Sequence, residues 1–98
     1  MNEPTLTPAV VIGAGLVGAS VGAALTDAGV EVHLIDAVLS HARVAASRGG
    51  GTTEPIDPAS VRLVVVAVPP VKLAEVIAAA LQTYPRATVT DVGSVKGT

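Results

Sequence analysis

The sequence predicts an α/β domain, a doubly wound parallel sheet with helices on both faces. Three observations predict it. Short apolar runs rich in β-branched residues alternate with stretches of helical periodicity. A glycine-rich turn stands where the first such run meets the first helical stretch. The most apolar run, at 61–68, is interrupted only by Arg62, as a strand covered on both faces would be. Strands linked by helical crossovers pair in parallel with right-handed connections, and the expected strand order is 3-2-1-4-5.

Ala9, Val10, Val11 and Ile12 are too short a run for a helix and read as the first strand, ending at Gly13. From Leu16 the spacing turns helical, with Val17, Val21 and Leu25 four apart, until Gly29 supplies a left-handed stop. Residues 31–36 form a second strand and 38–48 a second helix, closed by Gly49, Gly50 and Gly51. Thr52 and Thr53 are placed in a short edge strand, and 54–60, with Pro55 and Pro58, in a loop. The strand at 61–68 ends at Pro69 and Pro70, since proline has no donor for the ladder. Leu73, Val76, Ile77, Ala80, Leu81 and Tyr84 then fall on one helical face, with Lys72, Glu75, Gln82 and Thr83 on the other. Pro85 stops that helix, and 87–91 gives a last strand leading to Gly93, Ser94 and Lys96.

Composition narrows the function. Half of the 98 residues are apolar and 14% are charged, so a core can form. A net charge of -2 lacks the basic excess that nucleic acid or an anionic membrane surface would require, and Tyr84, the one aromatic residue, leaves nothing to stack on bases. The absence of cysteine removes disulfides, thiolate nucleophiles and cysteine-ligated metals, and no metal site is expected. Residues 4–26 carry no charge, a length near the ~20 residues that span a bilayer, but Pro8 and four glycines interrupt them and no basic segment precedes them. A membrane segment is therefore not expected.

The residues at 13–18, G-A-G-L-V-G, match G-x-G-x-x-G between a strand and a helix, the context in which the pattern carries meaning. Gly13 permits a tight turn, Gly15 lets the backbone approach a pyrophosphate and Gly18 lets helix and strand pack closely, while the helix N-terminus offers unpaired N–H groups. Gly13, Ala14, Gly15, Leu16, Val17 and Gly18 are accordingly candidate cofactor-binding residues. Asp36 ends the second strand 18 residues after Gly18, near the ~20 expected of a carboxylate that binds the adenine ribose. It would repel a 2′-phosphate, Ala37 offers no compensating charge and Arg43 is less well placed, so NAD is favoured over NADP. The alternative is that Asp36 caps the second helix. Val68 and Pro69 stand where open α/β sheets place ligands, although Pro69 and Pro70 also suffice merely to end a strand and begin a helix. Asp91, Ser94 and Lys96 bring a carboxylate, a hydroxyl and an ammonium group to the last strand's carboxyl end, as polar chemistry would need or as a capped turn would show. His33 and His41 lie far from that end and read as satisfied or solvated side chains.

Taken in order, V-V-I-G-A-G-L-V-G-A-S-V, Asp36, V-V-V-A-V-P-P and T-D-V-G-S-V-K-G resemble the N-terminal, Rossmann-type domain of the prephenate/arogenate dehydrogenase family over nearly the whole chain. The resemblance implies NAD-dependent oxidative decarboxylation of prephenate or arogenate in tyrosine biosynthesis, in the cytoplasm. It places Ser94 beside nicotinamide and substrate, bonded to a catalytic histidine, with Lys96 in support. That histidine belongs to an H-P-M-like motif absent from this sequence, and neither His33 nor His41 replaces it. The family's helical C-terminal domain, which forms a homodimer and binds substrate, is absent as well. The expectation is a cofactor-binding module of a longer enzyme, inactive by itself. Two alternatives remain at this point: another NAD(P)-dependent hydroxy or imino acid dehydrogenase, and a non-catalytic NAD-sensing regulatory domain.

Overall fold

The computed structural model describes residues 6–92. Four strands, β1 (Ala9–Ile12), β2 (Val32–Ile35), β3 (Leu63–Val66) and β4 (Thr88–Asp91), alternate with three helices, α1 (Leu16–Asp27), α2 (Leu39–Ser47) and α3 (Pro70–Thr83). The strands form one parallel sheet of order β2-β1-β3-β4, with Ala9 opposite Val32 and Leu63, and Leu63 opposite Thr88. The expected strand at Thr52 and Thr53 is reduced to a single parallel bridge between Thr52 and His33. Thr52 donates to the Val32 carbonyl and accepts from Leu34, but the chain then leaves the sheet. The bridge lies on the predicted side of β2, so the predicted order holds in position while its edge strand does not form.

Parallel strands buried on both faces show alternating side chains in two cores. Ala9, Val11, Val32, Leu34, Leu63 and Val65 face α1 and α2, joined by Ala42 and Ala45. Val10, Val64 and Val66 face α3 and meet Val61, Ala80 and Tyr84. Val10, Val11, Val61, Val64 and Val66 are fully buried, each contributing roughly 1.5–3 kcal/mol. With valine and alanine in place of large aromatics, the helices must approach closely, and α1 does so through glycine. A Cβ on Gly18 would lie 1.8 Å from the Gly13 carbonyl oxygen, and one on Gly22 would lie 2.2 Å from that of Gly50.

Both helix stops read from glycine are present. Gly29 (φ +89) donates to the Thr26 carbonyl and Val30 to that of Leu25, while Gly49 (φ +85) donates to Ala46 and Gly50 to Ala45. Each pair is a Schellman ending, which needs the left-handed conformation glycine adopts without strain. α3 begins three residues earlier than its apolar stripe, because Pro70 occupies the first helical position, where a missing N–H costs nothing. Leu81, expected inside, is exposed, and Leu73, Val76 and Ile77 are only partly buried against the sheet. The loop before β3 contains an unforeseen 3-10 turn, Pro58–Ser60, held by the Asp57 carboxylate accepting from the Ala59 N–H. His33 is buried and satisfied, as expected: Nδ1 lies 2.7 Å from the Glu54 carbonyl oxygen and Nε2 2.6 Å from Glu31 Oε2.

Candidate dinucleotide site

β1 and β3 are neighbours, yet the chain leaves them in opposite directions, through α1 to β2 and through α3 to β4. Their carboxyl ends therefore open a crevice that no crossover covers, the place where open α/β sheets bind ligands. A cleft of about 980 Å³ occupies it, lined at the glycine turn and the start of α1 by Gly13, Gly15 and Val17, just after β2 by Asp36, and just after β3 by Ala67, Val68 and Pro69. That volume is at the upper end of the range of small-molecule and cofactor sites, roughly 300–1,000 Å³.

The three motif glycines have different reasons for being glycine. Gly13 has φ +98, and a Cβ there would lie 2.5 Å from the Ala67 carbonyl oxygen, so β1 could not turn against β3 with any other residue. Gly18 is buried where α1 crosses that turn. Gly15 is the N-cap of α1, with φ -71, and a Cβ on it would meet nothing within 4 Å. Neither backbone strain nor packing requires glycine there, and the space it leaves belongs to the cleft. Beside it, the first turn of α1 has no side-chain cap, so its N–H groups are available to an anion.

Asp36 is set by two backbone donors: Oδ2 accepts from the Ala14 N–H at 2.7 Å and Oδ1 from the Val38 N–H at 2.8 Å. The first bond ties the end of β2 to the glycine turn. The second is an Asx turn, and the N-cap of α2 is Val38, so Asp36 caps no helix directly. Its side chain is 13% exposed. Each carboxylate oxygen keeps acceptor capacity, since a carboxylate has about four lone-pair sites and two are used.

Other sequence expectations divide. Val68 and Pro69 line the cleft, so the residues that end β3 and begin α3 also form its wall. Leu16 does not, its side chain pointing to solvent at 84% exposure, and Ala14 is buried with its N–H committed to Asp36. Val17, expected on the inward stripe of α1, is exposed to the cleft instead. Ser94 and Lys96 lie outside the described residues. His41, Lys72 and Glu75 line the cleft although the sequence placed them on solvated faces, because a helix starting at a strand's carboxyl end turns part of its outer face toward the crevice. Their position just after a strand–helix junction was the available signal. Among the described residues no group of three or more His, Asp or Glu could hold a metal ion, and no helix is long and apolar enough to cross a membrane.

Fold and crevice define a nucleotide-binding class of domain, and comparison with known families agrees. The Rossmann-like domain model matches residues 2–97, and the chain belongs to that family. It is also similar to a probable prephenate dehydrogenase, NovF, of Streptomyces niveus, with 43% identity over 88 residues, which is 90% of this chain and 24% of that protein. The resemblance read from the motifs is thus found in a relative, of whose length this chain spans about a quarter. No solved structure matches.

Proposed function

We propose that this chain binds NAD across the crevice and is the cofactor-binding part of a prephenate or arogenate dehydrogenase. Gly15 is the observation that carries the reading. A glycine turn without a ligand explains Gly13 and Gly18 by strain and contact, but leaves the open space at Gly15 without a purpose. A dinucleotide fits that space: its pyrophosphate needs a close backbone approach at an uncapped helix N-terminus, and its adenosine ribose needs an acceptor such as Asp36. NAD is favoured over NADP because the carboxylate is fixed in place by two N–H groups and cannot swing away from a 2′-phosphate.

Bound NAD would supply the hydride acceptor for a reaction in which the ring carbon bearing the hydroxyl is oxidised, carbon dioxide leaves and the ring becomes aromatic. This chain's share is binding and placement. The turn at 13–18 and Asp36 hold the two ends of the adenosine diphosphate, and Val68 and Pro69 form an apolar wall that excludes water. Ser94 and Lys96 are proposed at the nicotinamide end on the family resemblance. A histidine to polarise the substrate hydroxyl, the substrate-binding residues and the homodimer contacts would come from outside these 98 residues, and the setting proposed is cytoplasmic.

Calorimetric titration with NAD and NADP at matched salt tests the binding, with NAD expected to bind more tightly; tighter NADP binding would refute the argument from Asp36. The 98-residue chain should produce no NADH from prephenate or arogenate. In a longer protein that carries this domain, Ser94→Ala should cut turnover while NAD affinity persists, and unchanged turnover would remove Ser94 from the mechanism.

A further inference from the structure

His41 stands on α2 and lines the cleft next to Asp36, with Nδ1 3.7 Å from Asp36 Oδ1 and a side chain 57% exposed. At that separation the two do not share a hydrogen bond. His33, by contrast, has both ring nitrogens engaged. The His41 ring thus stands within ion-pair distance of Asp36, without a hydrogen bond to it, at the corner where Asp36 presents its remaining lone pairs. Any hydroxyl held by Asp36 lies about 2.5–3.0 Å from a carboxylate oxygen, and His41 Nδ1 lies 3.7 Å from that same carboxylate. The other charged side chains lining the cleft, Lys72 and Glu75, are on α3, and Arg43 does not line it.

Resting on the reading of Asp36 as the ribose acceptor, we propose that His41 is a specificity-determining residue that reads the 2′ position of the adenosine ribose. A ribose hydroxyl donates to Asp36, and as a neutral acceptor its oxygen gains less from a His41 N–H than a charged phosphate oxygen does. A 2′-phosphate has only acceptor oxygens at physiological pH, is repelled by Asp36 and needs a donor, which His41 supplies. His41 therefore sets how strongly the site rejects the phosphorylated cofactor, with Asp36 imposing the penalty and His41 reducing it.

The test is calorimetric titration with NAD and with NADP, at one salt concentration, of the wild-type chain, His41→Ala, His41→Gln, Asp36→Asn and the Asp36→Asn/His41→Ala double variant. A hydrogen bond to a charged group is worth about tenfold or more in affinity. His41→Ala should weaken NADP about tenfold more than NAD, and His41→Gln, which keeps a donor, should recover most of that loss. Asp36→Asn should raise NADP affinity, and adding His41→Ala should take about tenfold of it back. If NAD and NADP change by the same factor in both His41→Ala backgrounds, or neither changes, the proposal falls while the NAD reading stands. If the wild-type chain binds neither dinucleotide, both fall. His41 is an exposed helix residue, and an unchanged thermal midpoint in His41→Gln confirms that the comparison is made between folded proteins.

Discussion

Substituting alanine at each motif glycine separates what the fold requires from what a ligand requires. At Gly18 the new methyl carbon would lie 1.8 Å from the Gly13 carbonyl oxygen, with the Gly13 carbonyl carbon at 2.9 Å, so backbone must move. Overpacking of a core costs about 1–3 kcal/mol, and displacing a hydrogen-bonded turn puts Gly18→Ala at the top of that range, ~3 kcal/mol. For a domain of this size the thermal midpoint should fall by roughly 12–24 °C. At Gly15 the backbone (φ -71, ψ -163) is extended and nothing lies within 4 Å. Alanine is a poorer N-cap than glycine by about 0.5 kcal/mol, while the stiffer unfolded chain returns about 0.4–1 kcal/mol, so the two nearly cancel. Gly15→Ala should therefore leave the midpoint within about 4 °C of wild type. Its methyl would nevertheless occupy the approach to the α1 N-terminus and deny a pyrophosphate its charge-assisted bonds, weakening NAD by at least about tenfold. Thermal unfolding followed by circular dichroism, with calorimetric NAD titration of the same samples, measures both quantities. A Gly15→Ala chain that binds NAD as tightly as wild type, or that loses as much stability as Gly18→Ala, refutes the division of roles.

Asp36→Ala should destabilise the fold as well as abolish NAD binding, because the buried Ala14 loses the acceptor for its N–H; a loss of about 1–3 kcal/mol is expected in denaturant unfolding, and Asp36→Asn, which keeps one acceptor, should lose less. Burial raises the Tyr84 phenol above its ordinary value of 10.0, so the folded state favours the neutral ring. That contribution is fully present below pH 10 and is lost as pH rises through the folded value, so Tyr84→Phe should lose less stability than wild type over that alkaline interval in pH-dependent unfolding.

Much of the architecture was legible because each element carries a local signal. Gly29 and Gly49 mark Schellman endings, which need only the left-handed conformation of one residue. Pro70 marks a helix start for an equally local reason. The run at 61–68 announces a doubly covered strand by composition, and β3 alternates between two cores as a central parallel strand must. Thr52 shows where this kind of reading weakens, since one residue bridges β2 and the chain departs at once. An edge pairing that short has no periodicity to read.

The sequence by itself determined the turn at 13–18, the carboxylate at the end of β2 and the order of strands and helices, since motif spacing and backbone chemistry act within a few residues. Only the tertiary structure decided which motif residues face a ligand. It sent Leu16 to solvent and Val17 to the cleft, bound Asp36 to Ala14 across 22 positions of sequence, and brought His41, Lys72 and Glu75 to the crevice. The physical reason is that the crevice exists only where β1 and β3 pair and their crossovers diverge. A side chain's share in it depends on how each helix is rotated against the sheet, and that rotation is set by close contacts such as Gly18 on Gly13 and Gly22 on Gly50.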